Sequence, residues 1–284
     1  MDNNKETNSI YGFSIKDLFK SNPLSIILVY LIAYIFGTIL VSFIVCAIVG
    51  NISGYTFKET YSIVMGGINS DMLDSDLVLY YKSQAYINFF GYMLMFLLVP
   101  IFALKYLKDD LKIFKSWKNV LLIIGEAIVF TLVAIGVNDL ADLIINNLGY
   151  ENLTSQNETL IENMMYYSNK ALIVISTVVF APLVEELVYR KSVIMLCDRA
   201  LKKFSEKHKI ITIIIDLCVS AIIFALPHML SSTNYNPLVW FILFSVYFIS
   251  GLGLAIIFYF TNKNIYASTI AHMSNNLVAI LRMF

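Results

Sequence analysis

Glu185 and Glu186 stand side by side after fourteen uncharged residues, in a stretch reading Ala181-Pro182-Leu183-Val184-Glu185-Glu186-Leu187-Val188-Tyr189-Arg190. An ionisable group inside an apolar helix costs about 2.5–3.5 kcal/mol on insertion scales, so it needs a partner or a cavity. On a helix, Glu186 and Arg190 share a face one turn apart and can pair, whereas Glu185 points about 100° away and keeps no local counter-ion. Pro182, one turn before Glu186, removes a backbone donor and opens the helix beside the carboxylates. Two later apolar stretches carry Phe224 with His228, and His272 with Asn276, each pair four residues apart. The chain has three histidines, and the third, His208, lies in a basic connection. A carboxylate, two imidazoles and a carboxamide from three helices are the groups needed to activate water and stabilise an oxyanion.

Each piece alone has a plainer reading. Glu-Glu-x-x-x-Arg is a common ion-pair stripe, and a membrane histidine or asparagine often serves as interhelical glue. Glu126, Asp139 and Asp142, in a neighbouring stretch, read as structural or near the membrane interface. The combination of three polar motifs in fixed order within apolar helices favours chemistry. Cys46, Cys197 and Cys218 are single and widely spaced, which suits packing better than a disulfide framework or a zinc knuckle.

The elements that must position these residues belong in a bilayer. Hydrophobic residues make up 58% of the 284 and charged residues 14%, with a mean hydropathy of +0.74; soluble domains sit nearer roughly 45–50% and 25%. Twenty basic and twenty acidic residues cancel, so no global field points to nucleic acid. A span needs about 20 predominantly apolar residues. By that test the spans are 24–50, 85–104, 120–137, 171–192, 210–230, 237–260 and 265–284, and the third can run on towards Leu148. The fold class is an all-α polytopic bundle of about seven spans, with eight as the upper count. The run 24–50 is uncharged over 27 residues, too long for a cleavable signal, and reads as an anchor. The chain divides into a cytoplasmic segment 1–23, with scattered apolar residues suited to the membrane surface, N-terminal membrane helices 24–148, an extracytoplasmic loop 149–170 and a catalytic membrane core 171–284.

Basic connections stay on the cytoplasmic side. Lys105, Lys108, Lys112, Lys115 and Lys118 follow the second span, and Lys191, Arg199, Lys202, Lys203, Lys207 and Lys209 follow the fourth. The other connections carry Glu59, Asp71, Asp74 and Asp76, then Glu151, Glu158 and Glu162. This alternation places the N-terminus in the cytoplasm of a plasma-membrane protein and the C-terminus outside. In straight spans His228 lies about 27 Å from the inner end of its helix, so bringing it level with Glu185 and His272 needs a fifth span that starts later, around Ile214 or Asp216, or strong tilt.

With these motifs the sequence resembles the CPBP family, the CAAX-protease and bacteriocin-processing membrane proteins also called Abi proteins. Glu185, Glu186 and Arg190 match its first motif, Phe224 and His228 its second, and His272 and Asn276 its third, over about 171–279. The resemblance implies peptide-bond hydrolysis within the membrane. Glu185 and His228 would polarise a water, His272 and Asn276 would hold the oxyanion, and Glu186 and Arg190 would support the helix. The His-Glu-x-x-His signature is absent, so a metal-free, glutamate-activated water is favoured, with zinc on Glu185, His228 and His272 as the alternative.

The partners expected are the lipid bilayer and a membrane-embedded or lipidated peptide or protein. An isoleucine- and asparagine-rich composition leans towards bacterial peptide maturation or immunity. Two other classes stand beside the protease: a proton-coupled transporter, which internal repeats would support, and a catalytically silent scaffold, which loss of a motif residue would support. Neither feature is in the sequence.

Overall fold

The computed structural model describes residues 22–68, 72–150, 153–230 and 235–283. Most of the expected surface segment 1–23 lies outside the described residues, as do Asp71, Glu151, residues 231–234 and Phe284. Every expected span is helical, and no strand occurs among the described residues. In chain order the helices are α1 (Pro23–Ser53), α2 (Phe57–Gly66), α3 (Asp74–Asp110), α4 (Trp117–Asn147), α5 (Gln156–Tyr167), α6 (Lys170–Ala200), α7 (Lys202–Ser205), α8 (Lys209–Met229), α9 (Pro237–Phe260) and α10 (Ile265–Arg282).

Local chemistry sets many of the starts. Asn22, Asn169, Asn236 and Asn264 each accept a hydrogen bond from a backbone N–H two residues on, capping α1, α6, α9 and α10. Asp74 and Asp76 open α3 and Lys108 closes it, each favourable to the helix dipole. These polar ends carry α3 well beyond the expected span 85–104, to 37 residues. α4 runs to Asn147, fulfilling the expected extension towards Leu148.

Among the described residues, six helices are long and apolar enough to cross a membrane: α1, α3 with its 3-10 extension to Lys115, α4, α6, α8 and α9. The seventh expected span, α10, has 18 residues and is not among them. His272, Ser274, Asn275 and Asn276 dilute its apolar content, and burial of Ser268, Thr269, Ala271 and His272 places it against protein.

α6 is the central helix, with 56% of its most apolar window buried against 28–33% in the other five. Leu187, Val188 and Ile194 of α6 join one core with Ile26 of α1, Val99 of α3, Phe130 of α4, Leu217 and Phe224 of α8, and Leu254 and Phe258 of α9. The outer face of α4 exposes Leu121, Ile128 and Leu132, as a lipid-facing helix should. α8 and α9 touch at Gly251, where a Cβ would stand 2.9 Å from the Phe224 ring and 3.2 Å from Ala221 Cα.

A polar clamp fixes the start of α10. Lys191 Nζ donates to Asp110 Oδ2 at 2.7 Å and to the Lys263 carbonyl at 2.8 Å, while Ile265 N–H donates to the same Asp110 oxygen at 2.9 Å. Asn262 and Lys263 take left-handed φ values of 57° and 60° in the turn, and Lys263 pairs with Asp198. The clamp thereby ties α3, α6 and α10 together at the lysine-rich end.

α8 is helical from Lys209 onward. His228 is nineteen residues into α8 and His272 seven into α10, or about 28 Å and 10 Å along straight helices. Both histidines nevertheless pack on one phenylalanine, so the helix ends are staggered or the helices inclined.

Candidate active site

The catalytic candidates depend on the irregular winding of α6. It passes through π segments at Ile175–Phe180 and Glu186–Ile194, separated by the α segment Ala181–Glu185. Such widened turns are rare and cluster at functional sites. In an i to i+5 register the Thr177 carbonyl would take the N–H of residue 182, and Pro182 has none. Asn276 supplies the missing donor from α10, its Nδ2 lying 2.9 Å from Thr177 O. The opening expected at Pro182 is therefore present, and the third motif's asparagine is engaged with it.

Glu186 and Arg190 are both fully buried, with Arg190 Nε 3.2 Å from Glu186 Oε2, the pairing expected from their spacing. The N–H is poorly aimed, so the contact is an ion pair without hydrogen-bond geometry. Arg190 also donates to Ser220 Oγ at 3.3 Å and lies 4.7 Å from the centre of the Phe224 ring, which gives Phe224 a cation–π role. The same ring stands 4.8 Å from His228 and 5.6 Å from His272. Phe224 thus lies against Arg190 and both imidazoles.

The expected division, Glu186 with arginine and Glu185 with the histidines, is only partly realised. His272 Nδ1 is 3.1 Å from Glu186 Oε1, and its Nε2 is 3.9 Å from Glu185 Oε2. One imidazole therefore sits between both carboxylates, because α10 crosses α6 where the π turn presents them in succession. Because a carboxylate accepts, Nδ1 carries the proton towards Glu186. The 3.9 Å gap to Glu185 is too long for a direct hydrogen bond and can be bridged by one water.

His228 Nδ1 is 2.9 Å from the Phe224 carbonyl. A carbonyl can only accept, so Nδ1 donates and the neutral ring keeps its lone pair on Nε2. Tyr247 of α9 stacks on this ring at 4.6 Å and 26°. Glu185 Oε1 accepts a hydrogen bond from Tyr92 of α3 at 3.0 Å.

Glu185, His228, His272 and Asn276 line one cavity with Phe224, while Glu186 and Arg190 sit behind it. Tyr92, Asn88, Asn275 and Tyr247 also line it and were missed in the sequence. The available signal was the spacing of Asn88 and Tyr92, two polar groups one turn apart in an apolar run; Tyr247 had none. Asp142, read as structural, is also on the wall. Among the described residues no three His, Cys, Asp or Glu side chains come together as a metal-binding set.

No curated protein and no solved structure matches the chain. Residues 167–278 match the family described as Type II CAAX prenyl endopeptidase Rce1-like. All three polar motifs lie inside that match, whereas Tyr92 and the helices before α6 lie outside it. With six apolar helices of spanning length, this is an integral multi-pass membrane protein whose region 167–278 is similar to the Rce1-like family of CAAX prenyl endopeptidases.

Proposed function

We propose that the protein is an intramembrane endopeptidase that hydrolyses a peptide bond of a membrane-associated or lipidated peptide. The observation that carries this reading is the convergence of Glu185, His228 and His272 on one cavity inside the helical bundle. In the proposed reaction, water oxygen attacks the peptide carbonyl carbon as Glu185 takes its proton. His228 Nε2 accepts from the same water and aims its lone pair. The negative oxygen of the tetrahedral intermediate is held by the second N–H of Asn276 and by His272 carrying a proton on both nitrogens, Nδ1–H donating to Glu186 and Nε2–H to the oxyanion. Return of the proton to the amide nitrogen lets the C–N bond break, leaving a carboxylic acid and an amine.

Glu186 and Arg190 act behind the reacting atoms: Glu186 fixes the His272 ring, and Arg190 balances Glu186. This metal-free route needs only side chains of the chain itself. A peptide precursor of the bacteriocin type and a prenylated C-terminus are the two substrate classes carried by the reading.

The test compares membrane peptides, by mass spectrometry, from cells carrying the wild-type chain or the Glu185→Gln variant at equal folded abundance. Peptides that terminate at new sites only with the wild type support the protease. Identical peptide sets would favour the silent-scaffold reading.

A further inference from the structure

The cavity does not end at the catalytic groups. From Glu185, His228 and His272 its wall continues past Thr177 and Asn276 to Asn138 and Asp142 of α4, and to Thr154, Ser155, Asn157 and Glu158 at the start of α5. Asp142 is exposed, and Asn157 and Glu158 are half-buried, so this end forms the mouth. Lys191, Asp110 and Lys263 clamp the opposite end of the bundle. The lysine-rich connections lie there too, so the mouth faces away from the basic side.

The wall has a one-sided charge. It carries the carboxylates of Asp142, Glu158 and Glu185, and no lysine or arginine among the described residues. Arg282 stands nearby, paired with Asp139 at 2.6 Å and also close enough to attract Asp142 and Glu158, so it offsets part of this charge without cancelling it. Polar amides from Asn138, Asn157, Asn275 and Asn276 complete a surface able to bind an extended peptide backbone.

Resting on the protease reading, we propose that substrate reaches Glu185 through this mouth, from the extracytoplasmic face, as an extended peptide segment bearing a basic side chain that Asp142 and Glu158 receive. Basic loops mark the cytoplasmic side of a membrane protein, which sets the mouth outside. A passage walled by one sign of charge concentrates the opposite sign by about 10- to 1000-fold in rate.

The experiment separates access from catalysis. In a chain with Cys46, Cys197 and Cys218 replaced by serine, Thr177→Cys places one thiol on the cavity wall, and Lys203→Cys places one at the basic end. Intact cells are treated with membrane-impermeant methanethiosulfonates, one cationic and one anionic. Thr177→Cys should react in intact cells and Lys203→Cys only in inverted vesicles. The cationic reagent should react at least about tenfold faster than the anionic one at Thr177→Cys, and Asp142→Asn with Glu158→Gln should bring the ratio near one. Reaction of Thr177→Cys only in inverted vesicles overturns the direction of access; equal rates for the two reagents before neutralisation overturn the charge selection. Peptides with lysine or glutamate flanking a fixed scissile bond are then offered to right-side-out proteoliposomes, with lysine peptides expected to be cut faster. Labelling as expected with no peptide cut would retire the protease and leave the passage standing.

Discussion

Tyr92 donates a hydrogen bond to Glu185 across 3.0 Å, joining the N-terminal helices to the proposed catalytic carboxylate. The donor lies outside the family-matched region and the acceptor inside it. The bond orients Glu185 by one oxygen and leaves the other towards His272. Tyr92→Phe removes the donor with little change in volume. A net hydrogen bond to a charged group is worth about 1.5–3 kcal/mol, so kcat should fall by roughly 10- to 100-fold with KM nearly unchanged. Steady-state kinetics on one cleaved peptide checks this; an unchanged kcat would remove Tyr92 from the site.

The two adjacent glutamates should fail differently. Glu185→Gln should lower kcat by about 10²–10⁴-fold, the range for a lost general base, while the protein stays folded. Glu186→Gln uncouples both Arg190 and His272. Breaking a buried pair costs about 3–5 kcal/mol, so folded yield and thermal midpoint should drop along with activity. Measuring folded amount and specific activity for both variants separates the roles, which are exchanged if only Glu186→Gln is folded and inactive.

Gly251→Ala puts a methyl where the Phe224 ring and the Ala221 backbone already meet. Overpacking costs about 1–3 kcal/mol, and the displaced ring is the one that lies against Arg190 and both histidines. Loss of activity should therefore exceed that of a lipid-facing control, Leu132→Ala. Circular dichroism melting with an activity assay tests the comparison.

Burial, together with Glu162 and Asp142, pushes the Glu158 carboxyl up to about 7, against the opposing pull of Arg282. Tyr247 is the further titratable group facing it, from α9. A raised carboxyl binds more proton folded than unfolded between its ordinary value of 4.5 and about 7, so its contribution to stability falls as pH rises through that window. Ionisation also makes the mouth more negative. The thermal midpoint should decline across this range less steeply in Glu158→Gln, and the cationic-to-anionic labelling ratio at Thr177→Cys should rise with a midpoint near about 7. A flat ratio would take Glu158 out of the mouth's charge.

Glu185 activating water without a metal predicts that strongly chelated, purified protein keeps its peptidase activity. Activity lost to chelator and restored only by zinc would assign Glu185, His228 and His272 as ligands after rearrangement.

The helical membrane architecture is legible in the sequence, because spans long enough to bury their own backbone hydrogen bonds in hydrocarbon are written as local composition. So is the Glu186–Arg190 pair, since partners four apart meet on any helix. His272 touching both carboxylates was not legible, because that contact depends on where α10 crosses α6 and on the widened turn between them. Nor was Tyr92 at Glu185, whose 93-residue separation is closed only by helix packing. The shared position of His228 and His272, at unequal distances along their helices, likewise came from the tertiary structure. Helix periodicity fixes direction around one axis; the offset and inclination between axes are decided by side-chain packing, here by Phe224 against Gly251 and by the Asp110–Lys191 clamp.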